Sequence, residues 1–190
     1  MTLFPLPHKH GFTLIETVIV IALSISVMTA LTLLIYNFNK ISVYNETFAK
    51  SSGSASAIMR EIGSLILPAN AILQTHTFSN GTYISTSTSL VLEIPSIDSA
   101  GNTIANTYDY AAFYLVGTTR AYRLLQPDAL SARASSTKQL STTMSSLTFT
   151  YGDTDFTKVN TTTVDVQTQA LVKQEVLSDH RREQFRLRNY

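Results

Sequence analysis

The sequence predicts an α+β protein, in which a long N-terminal membrane-spanning α-helix packs on a C-terminal antiparallel β-sheet head. Three observations predict it. From Phe12 to Tyr36 the chain is almost wholly apolar, with Glu16 its only charge. From Ile41 to Leu67 the apolar residues thin to a stripe at helical spacing. After Pro68 the apolar period shortens to two, the mark of strands with one buried face.

Composition narrows the function before any motif is read. The chain has 190 residues, of which 44% are hydrophobic and 14% charged, against roughly 25% charged in an average soluble domain. Its formal net charge is +1, so no broad basic field points to nucleic acid, and no nucleic-acid partner is expected. The chain has no cysteine, which excludes disulfides, thiolate metal sites and cysteine nucleophiles. It has no Gly-x-Ser-x-Gly elbow, no P-loop and no His-Glu-x-x-His. The expectation is therefore a non-enzyme with no cofactor and no metal.

The first element is the apolar run. As a helix, Phe12 to Tyr36 would measure roughly 37 Å at about 1.5 Å per residue, enough for a bilayer core. Three readings compete. A cleaved secretory signal needs a shorter apolar region and a small-x-small site near its end; here Ala22-Leu23-Ser24 and Ser24-Ile25-Ser26 fall mid-run. A plain anchor fits the length but leaves Glu16 unexplained, because a charge within a span costs up to about 2.5–3.5 kcal/mol. The third reading uses the flanks. Met1 to Gly11 (MTLFPLPHKHG) is a short leader with two prolines, one charge at Lys9, and a closing glycine. Then comes Gly11-Phe12-Thr13-Leu14-Ile15-Glu16.

That order resembles the class III signal of type IV pilins and pseudopilins. The resemblance implies that a membrane peptidase cuts after Gly11 and that the same enzyme methylates the new terminal amine on Phe12. It also implies that Glu16 makes an intersubunit contact during filament assembly. The electrostatics agree. Cleavage would create a cation at Phe12, and Glu16 is then the fifth residue of the new chain. An unpaired charge in a dry helix bundle is costly, so pairing Glu16 with a neighbour's amine would fix register. The alternative is a membrane-boundary glutamate that stays protonated.

The helix is expected to run on to Leu67, since Leu67-Pro68 is a stop. Ile41, Phe48, Ala55 and Ile62 recur every seven residues and form the face expected to cover the head. Gly53, within Ser51-Ser52-Gly53-Ser54, is the weak spot of this segment. The expected domains are a leader at 1–11, a helix at 12–67 (spanning at 12–36, amphipathic at 37–67) and a head at 68–190.

Within the head, Leu90-x-Leu92-x-Ile94 reads as a strand ending at Pro95. Thr107 to Val116 is aromatic and apolar on both faces, Gly117-Thr118-Thr119 turns, and Arg120 to Gln126 returns, the strongest hairpin in the chain. Leu147 to Tyr151, Thr163 to Gln169 and a short Gln184 to Leu187 complete one expected sheet. Loops are expected at His76–Thr88, Pro95–Asn106, Pro127–Ser146 and Gly152–Thr162, with a short helix around Leu130–Leu140. The head resembles larger minor pilins and J-type minor pseudopilins in Tyr110–Val116 followed by Tyr122-Arg123, in Leu147–Tyr151, and in Phe185-Arg186-Leu187-Arg188-Asn189.

The resemblance as a whole implies a minor pilin or pseudopilin that primes or caps a pilus-like filament, of the pilus, type II secretion or DNA-uptake kind. Its partners would be the prepilin peptidase/methyltransferase, other pilin or pseudopilin subunits, an inner-membrane assembly platform and membrane lipid. It would be a single-pass inner-membrane protein with an extracytoplasmic head. A membrane-tethered binding domain that never polymerises is the competing function. Elsewhere, Asp153 and Asp155 have the alternation of a calcium loop but lack its glycine and glutamate, and a polar turn is expected. His76 and His180 read as surface residues. Arg181, Arg182, Arg186 and Arg188 form the one basic cluster, expected to be a solvated sheet edge.

Overall fold

The computed structural model describes residues 12–172 and 175–188. The chain divides into two compact units, Met1–Tyr44 and Asn45–Tyr190. Helix α1 runs from Leu14 to Ile66. Every described residue of the first unit is exposed, as a segment without a core of its own must be.

In the second unit, α1 buries Ser51, Ala55, Ile58, Met59, Ile62, Gly63 and Ile66. This corrects the expected stripe, because Ile41 and Phe48 are exposed. The buried face starts three residues after Phe48, on small polar side chains. Ser51 Oγ donates to Thr168 Oγ1 at 3.0 Å, and Thr168 Oγ1 donates to the Ser51 carbonyl at 3.0 Å. Small residues let the helix approach the sheet closely, and the hydroxyls satisfy one another. α1 passes through Gly53 unbroken.

Among the described residues the head has ten strands in three antiparallel sheets, not one. The five-stranded sheet has the order β1-β4-β5-β6-β7: Ala71–Ile72, Ser89–Ile97, Thr103–Val116, Arg120–Gln126 and Ser136–Ser141. The three-stranded sheet runs β10-β9-β8: Glu175–Arg186, Thr161–Val172 and Met144–Tyr151. A two-stranded hairpin pairs β2 (Thr75–Phe78) with β3 (Gly81–Ile84).

Both faces of the five-stranded sheet are covered at its centre. Leu90, Leu92, Ile94, Ala111 and Phe113 join the helix stripe in the main core. Val91, Ala112 and Leu124 point the other way and pack with Phe78 under the β2–β3 hairpin. This explains why Thr107 to Val116 is apolar on both faces. The β5–β6 hairpin has its expected bounds at the turn, where Gly117 takes φ +65°. The main core extends to the three-stranded sheet through Leu147, Phe149, Val164, Val166 and Phe185. Fully burying side chains such as Ile58, Ile62 and Ile66 stabilises by about 1.5–3 kcal/mol each.

Four expectations about the head are corrected. Pro95 does not end β4, which continues to Ile97. β1 pairs only with Leu92 and Glu93, so no strand pairs with β4 on that side of Pro95 and its missing N–H breaks no ladder. His76–Thr88 is not a loop but the β2–β3 hairpin. Leu130–Leu140 is not a helix; Ser136–Ser141 is β7, and the preceding segment is pinned by Asp109. The last strand runs from Glu175 to Arg186, far longer than Gln184–Leu187, and pairs with β9 throughout.

Asp109 has no exposed surface. It accepts from Ser96 Oγ at 2.7 Å, the Asp128 N–H at 2.9 Å, Ser131 Oγ at 2.8 Å and an Arg133 guanidinium nitrogen at 2.5 Å. Arg133 also donates to the Pro95 carbonyl at 2.6 Å. Burial pushes the Asp109 carboxyl up, but these donors outweigh it and hold it below the usual carboxylate range. The helix is tied to the same sheet by Glu61, which accepts from Arg123 and, at 3.0 Å, from Lys138.

Candidate functional site

The residues from Phe12 to Glu16 form the start of α1. A helix leaves its first N–H groups without internal partners. Here Thr13 is the N-cap and Glu16 the third helical residue. The Thr13 N–H donates to Glu16 Oε2 at 2.8 Å, Thr13 Oγ1 donates to the same oxygen at 2.9 Å, and the Glu16 N–H donates to Thr13 Oγ1 at 3.3 Å. This is the reciprocal capping box that the pattern Thr-x-x-Glu encodes. The Thr17 N–H donates to the Thr13 carbonyl at 3.1 Å and closes the first turn. Thr13 thus holds Glu16 Oε2, and among the described residues Glu16 Oε1 has no hydrogen-bond partner. Phe12 lies just outside the helix and is 83% exposed. Gly11 and the leader lie outside the described residues.

Behind this cap, α1 is apolar and long enough to cross a membrane, and none of its most apolar window is buried. Its hydroxyls are satisfied within the helix. Ser24, Ser26, Thr29 and Thr32 donate to the carbonyls four residues back at 2.8, 2.9, 2.8 and 2.8 Å. In hydrocarbon, where no water can take the proton, this keeps the polar atoms paired.

The other singled-out residues have structural partners. Asp153 Oδ1 accepts from the Asp155 N–H at 2.9 Å, and Asp155 binds the Thr157 hydroxyl at 2.7 Å and Lys158 Nζ at 3.0 Å. They form successive turns in which Lys158 already neutralises one carboxylate. No group of three or more His, Asp or Glu with metal-site geometry exists among the described residues. His76 is half-buried rather than on the surface; its ring stacks on Tyr110 at 3.7 Å, and burial pushes its pKa down. His180 is exposed and its Nε2 lies 2.8 Å from Asp165.

Thr13 was not picked out from the sequence, although the capping pattern was there to be read. Asp109 left a fainter signal, a lone acid between apolar neighbours on a strand. Glu61, Arg123 and Lys138 left none, since nothing in the sequence brings a helix glutamate to two separate strands.

No curated protein and no solved structure matches the chain. Residues 6–32 match the family model of the prokaryotic N-terminal methylation motif. That interval contains Gly11, the capping box and all but the last four residues of the apolar run. The motif implies processing by a prepilin peptidase and assembly with other pilins. The chain thus carries a prokaryotic N-terminal methylation motif, the class III prepilin signal, at the start of a helix long and apolar enough to cross a membrane.

Proposed function

We propose that this chain is a minor pilin or pseudopilin that enters a pilus-like filament and primes or caps it. The observation that carries the reading is the match of residues 6–32 to the methylation motif. In this reading a prepilin peptidase cuts between Gly11 and Phe12 and methylates the Phe12 amine. Residues 12–36 then hold the subunit in the inner membrane, with the head on the extracytoplasmic side, until an assembly platform draws it into the filament.

Glu16 is the assembly residue. Thr13 occupies its Oε2 and fixes the side chain at the helix start, while Oε1 is left for an incoming cation. The amine of a neighbouring Phe12 supplies that cation. In a water-poor bundle the pair offsets much of the desolvation cost, whereas either charge alone would be uncompensated.

The test is a pair of variants read by mass spectrometry of the amino terminus and by the amount of protein in sheared filaments. Replacing Gly11 with a bulky residue should leave the precursor uncut. Glu16→Gln should be cut normally, because Gln keeps the capping box, yet should fail to enter filaments. Normal cutting with unchanged incorporation would remove the role given to Glu16, and absence of the parent chain from sheared filaments would replace this reading with the tethered binding domain.

A further inference from the structure

The turn of the β2–β3 hairpin holds a chemically labile pair. The chain has nine asparagines, and only Asn80 is followed by glycine. Both residues are exposed, and Ser79 and Asn80 form the link between the paired Phe78 and Gly81. Gly81 takes φ +142°, and beyond its chain neighbours nothing lies within 4 Å of where its Cβ would stand. The Asn80 amide is lightly held. Its Nδ2 donates to Tyr83 Oη at 3.3 Å, beyond the common range for such bonds.

We propose that Asn80 is a site of spontaneous deamidation, and that its isoaspartyl product loosens the hairpin from the sheet beneath it. Asparagine is among the chemically labile side chains. The Gly81 backbone nitrogen loses its proton to hydroxide and attacks Asn80 Cγ. The new C–N bond closes a cyclic imide. The Cγ–Nδ2 bond breaks, and the nitrogen leaves as ammonia with a proton taken from water, which restores the hydroxide. Water then opens the imide at either carbonyl, giving aspartate or isoaspartate. The net change is water in and ammonia out, with no oxidation or reduction. Glycine matters because it has no side chain to hinder ring closure. Every other asparagine precedes a residue that has one.

The two products act differently on the fold. Aspartate keeps the backbone length and so the register, which pairs Phe78 with Gly81 and His76 with Tyr83. Isoaspartate routes the main chain through Cγ and adds one carbon to it within the turn. Register in a hairpin is set by the turn, so the added carbon displaces the pairing. That register holds Phe78, 3% exposed, against Val91, Ala112 and Leu124, and holds the His76 ring on Tyr110. The bond from the Ser79 N–H to Gln126 Oε1, 2.8 Å long, stands next to the altered residue. Lifting the hairpin opens the second apolar cluster to water.

The test uses the full chain in detergent micelles, kept in warm, mildly alkaline buffer and followed by mass-spectrometric peptide mapping. Asn80 should convert at least about tenfold faster than any other asparagine, and both products should be found at that position. Amide hydrogen exchange across residues 75–84 should quicken in the isoaspartyl form. An Asn80→Asp chain carries the charge on an unaltered backbone and should exchange as the parent does. An Asn80→Ser chain should show no mass gain in this hairpin and parental exchange. Asn80 intact while another asparagine converts, or while a free peptide of residues 75–84 converts, would overturn the proposal. So would an isoaspartyl form with parental exchange, or equal quickening in Asn80→Asp. No step involves Gly11, Phe12 or Glu16, so the outcome is independent of the assembly reading.

Discussion

The N-terminal and C-terminal stretches of α1 share one helix and differ in almost everything else. Up to Tyr44 the side chains are exposed, including Leu23 at 61% and Ile25 at 61%. From Ser51 onward one face is closed, with Ala55, Ile58 and Ile62 at 0%. A leucine or isoleucine in the first stretch is left exposed by the described residues of the chain. Its burial must be supplied by lipid or by other subunits. In the second stretch the chain supplies its own. The same residue types therefore report assembly in one region and folding in the other.

The largest expected contrast comes from equal truncations in the two regions. Ile62→Ala should cost the head about 2–5 kcal/mol, whereas Ile25→Ala should leave head stability within about 0.5 kcal/mol. Denaturant unfolding of the full chain in detergent, followed by a sheet signal, would show it. Equal losses would mean that the apolar run has a folding partner within the chain.

Next is the buried carboxylate, which has no counterpart in the first unit. Arg133→Met should cost about 1–3 kcal/mol by leaving Asp109 short of a donor. The pH dependence has a definite sign. Asp109 lies lower in the folded chain than its ordinary value of 3.8, so the folded state binds its proton less readily than the unfolded state. Its contribution is present above about pH 4 and is lost as pH falls through the lowered folded value. Asp109→Asn should flatten acid unfolding below about pH 4, and an unchanged acid limb would show that another group sets it.

The two described helix glycines sharpen the contrast at smaller scale. A Cβ at Gly63 would lie 2.7 Å from a Phe185 ring carbon, so Gly63→Ala should destabilise by about 1–3 kcal/mol. Gly53 has nothing within 4 Å of that position, and Gly53→Ala should stabilise by about 0.4–1 kcal/mol. Thermal melts of both variants should move in opposite directions. The smallest effect on the head should come from Thr13→Ala. The lost cap costs the helix start about 1 kcal/mol and should register in helix content of residues near 14, with the head melt unchanged.

These contrasts also show what the sequence made readable. The apolar run, the stop at Pro68 and the β5–β6 turn are local patterns, and each stands where periodicity put it, although β5 begins at Thr103, inside the loop expected at Pro95–Asn106. The buried part of the helix stripe was misplaced because Ser51 does not look like a core residue; its burial depends on Thr168, 117 positions away. β10 was cut short because Asp179, Arg181 and Glu183 fill positions that face the helix between Leu177 and Phe185. They break the alternation on which strand recognition relies. The expected helix at Leu130–Leu140 does not form because Asp109 holds the Asp128 N–H, Ser131 and Arg133 in a turn and bends before β7. At the candidate site, Glu16 was legible as an anomaly and Gly11 and Phe12 as a motif, but the partner that holds Glu16 came from coordinates.

The meeting of Gly63 with Phe185, and the hydrogen bond from the Arg188 N–H to the Leu67 carbonyl at 3.1 Å, bear on how the chain is made. Synthesis delivers the helix early and its covering strand late. Until β10 emerges, Ile62 and Ile66 have only part of their cover, and their remaining apolar surface is open to chance contacts. The apolar run needs no such wait, because lipid can receive it as soon as it is made. The order of events is thus written into the topology. If the apolar run enters a membrane, insertion can precede completion of the head, and a ribosome stalled before β10 would leave a chain whose core is unsealed. Such a chain is a natural substrate for quality-control proteolysis, and its lifetime would measure how quickly the last strand docks.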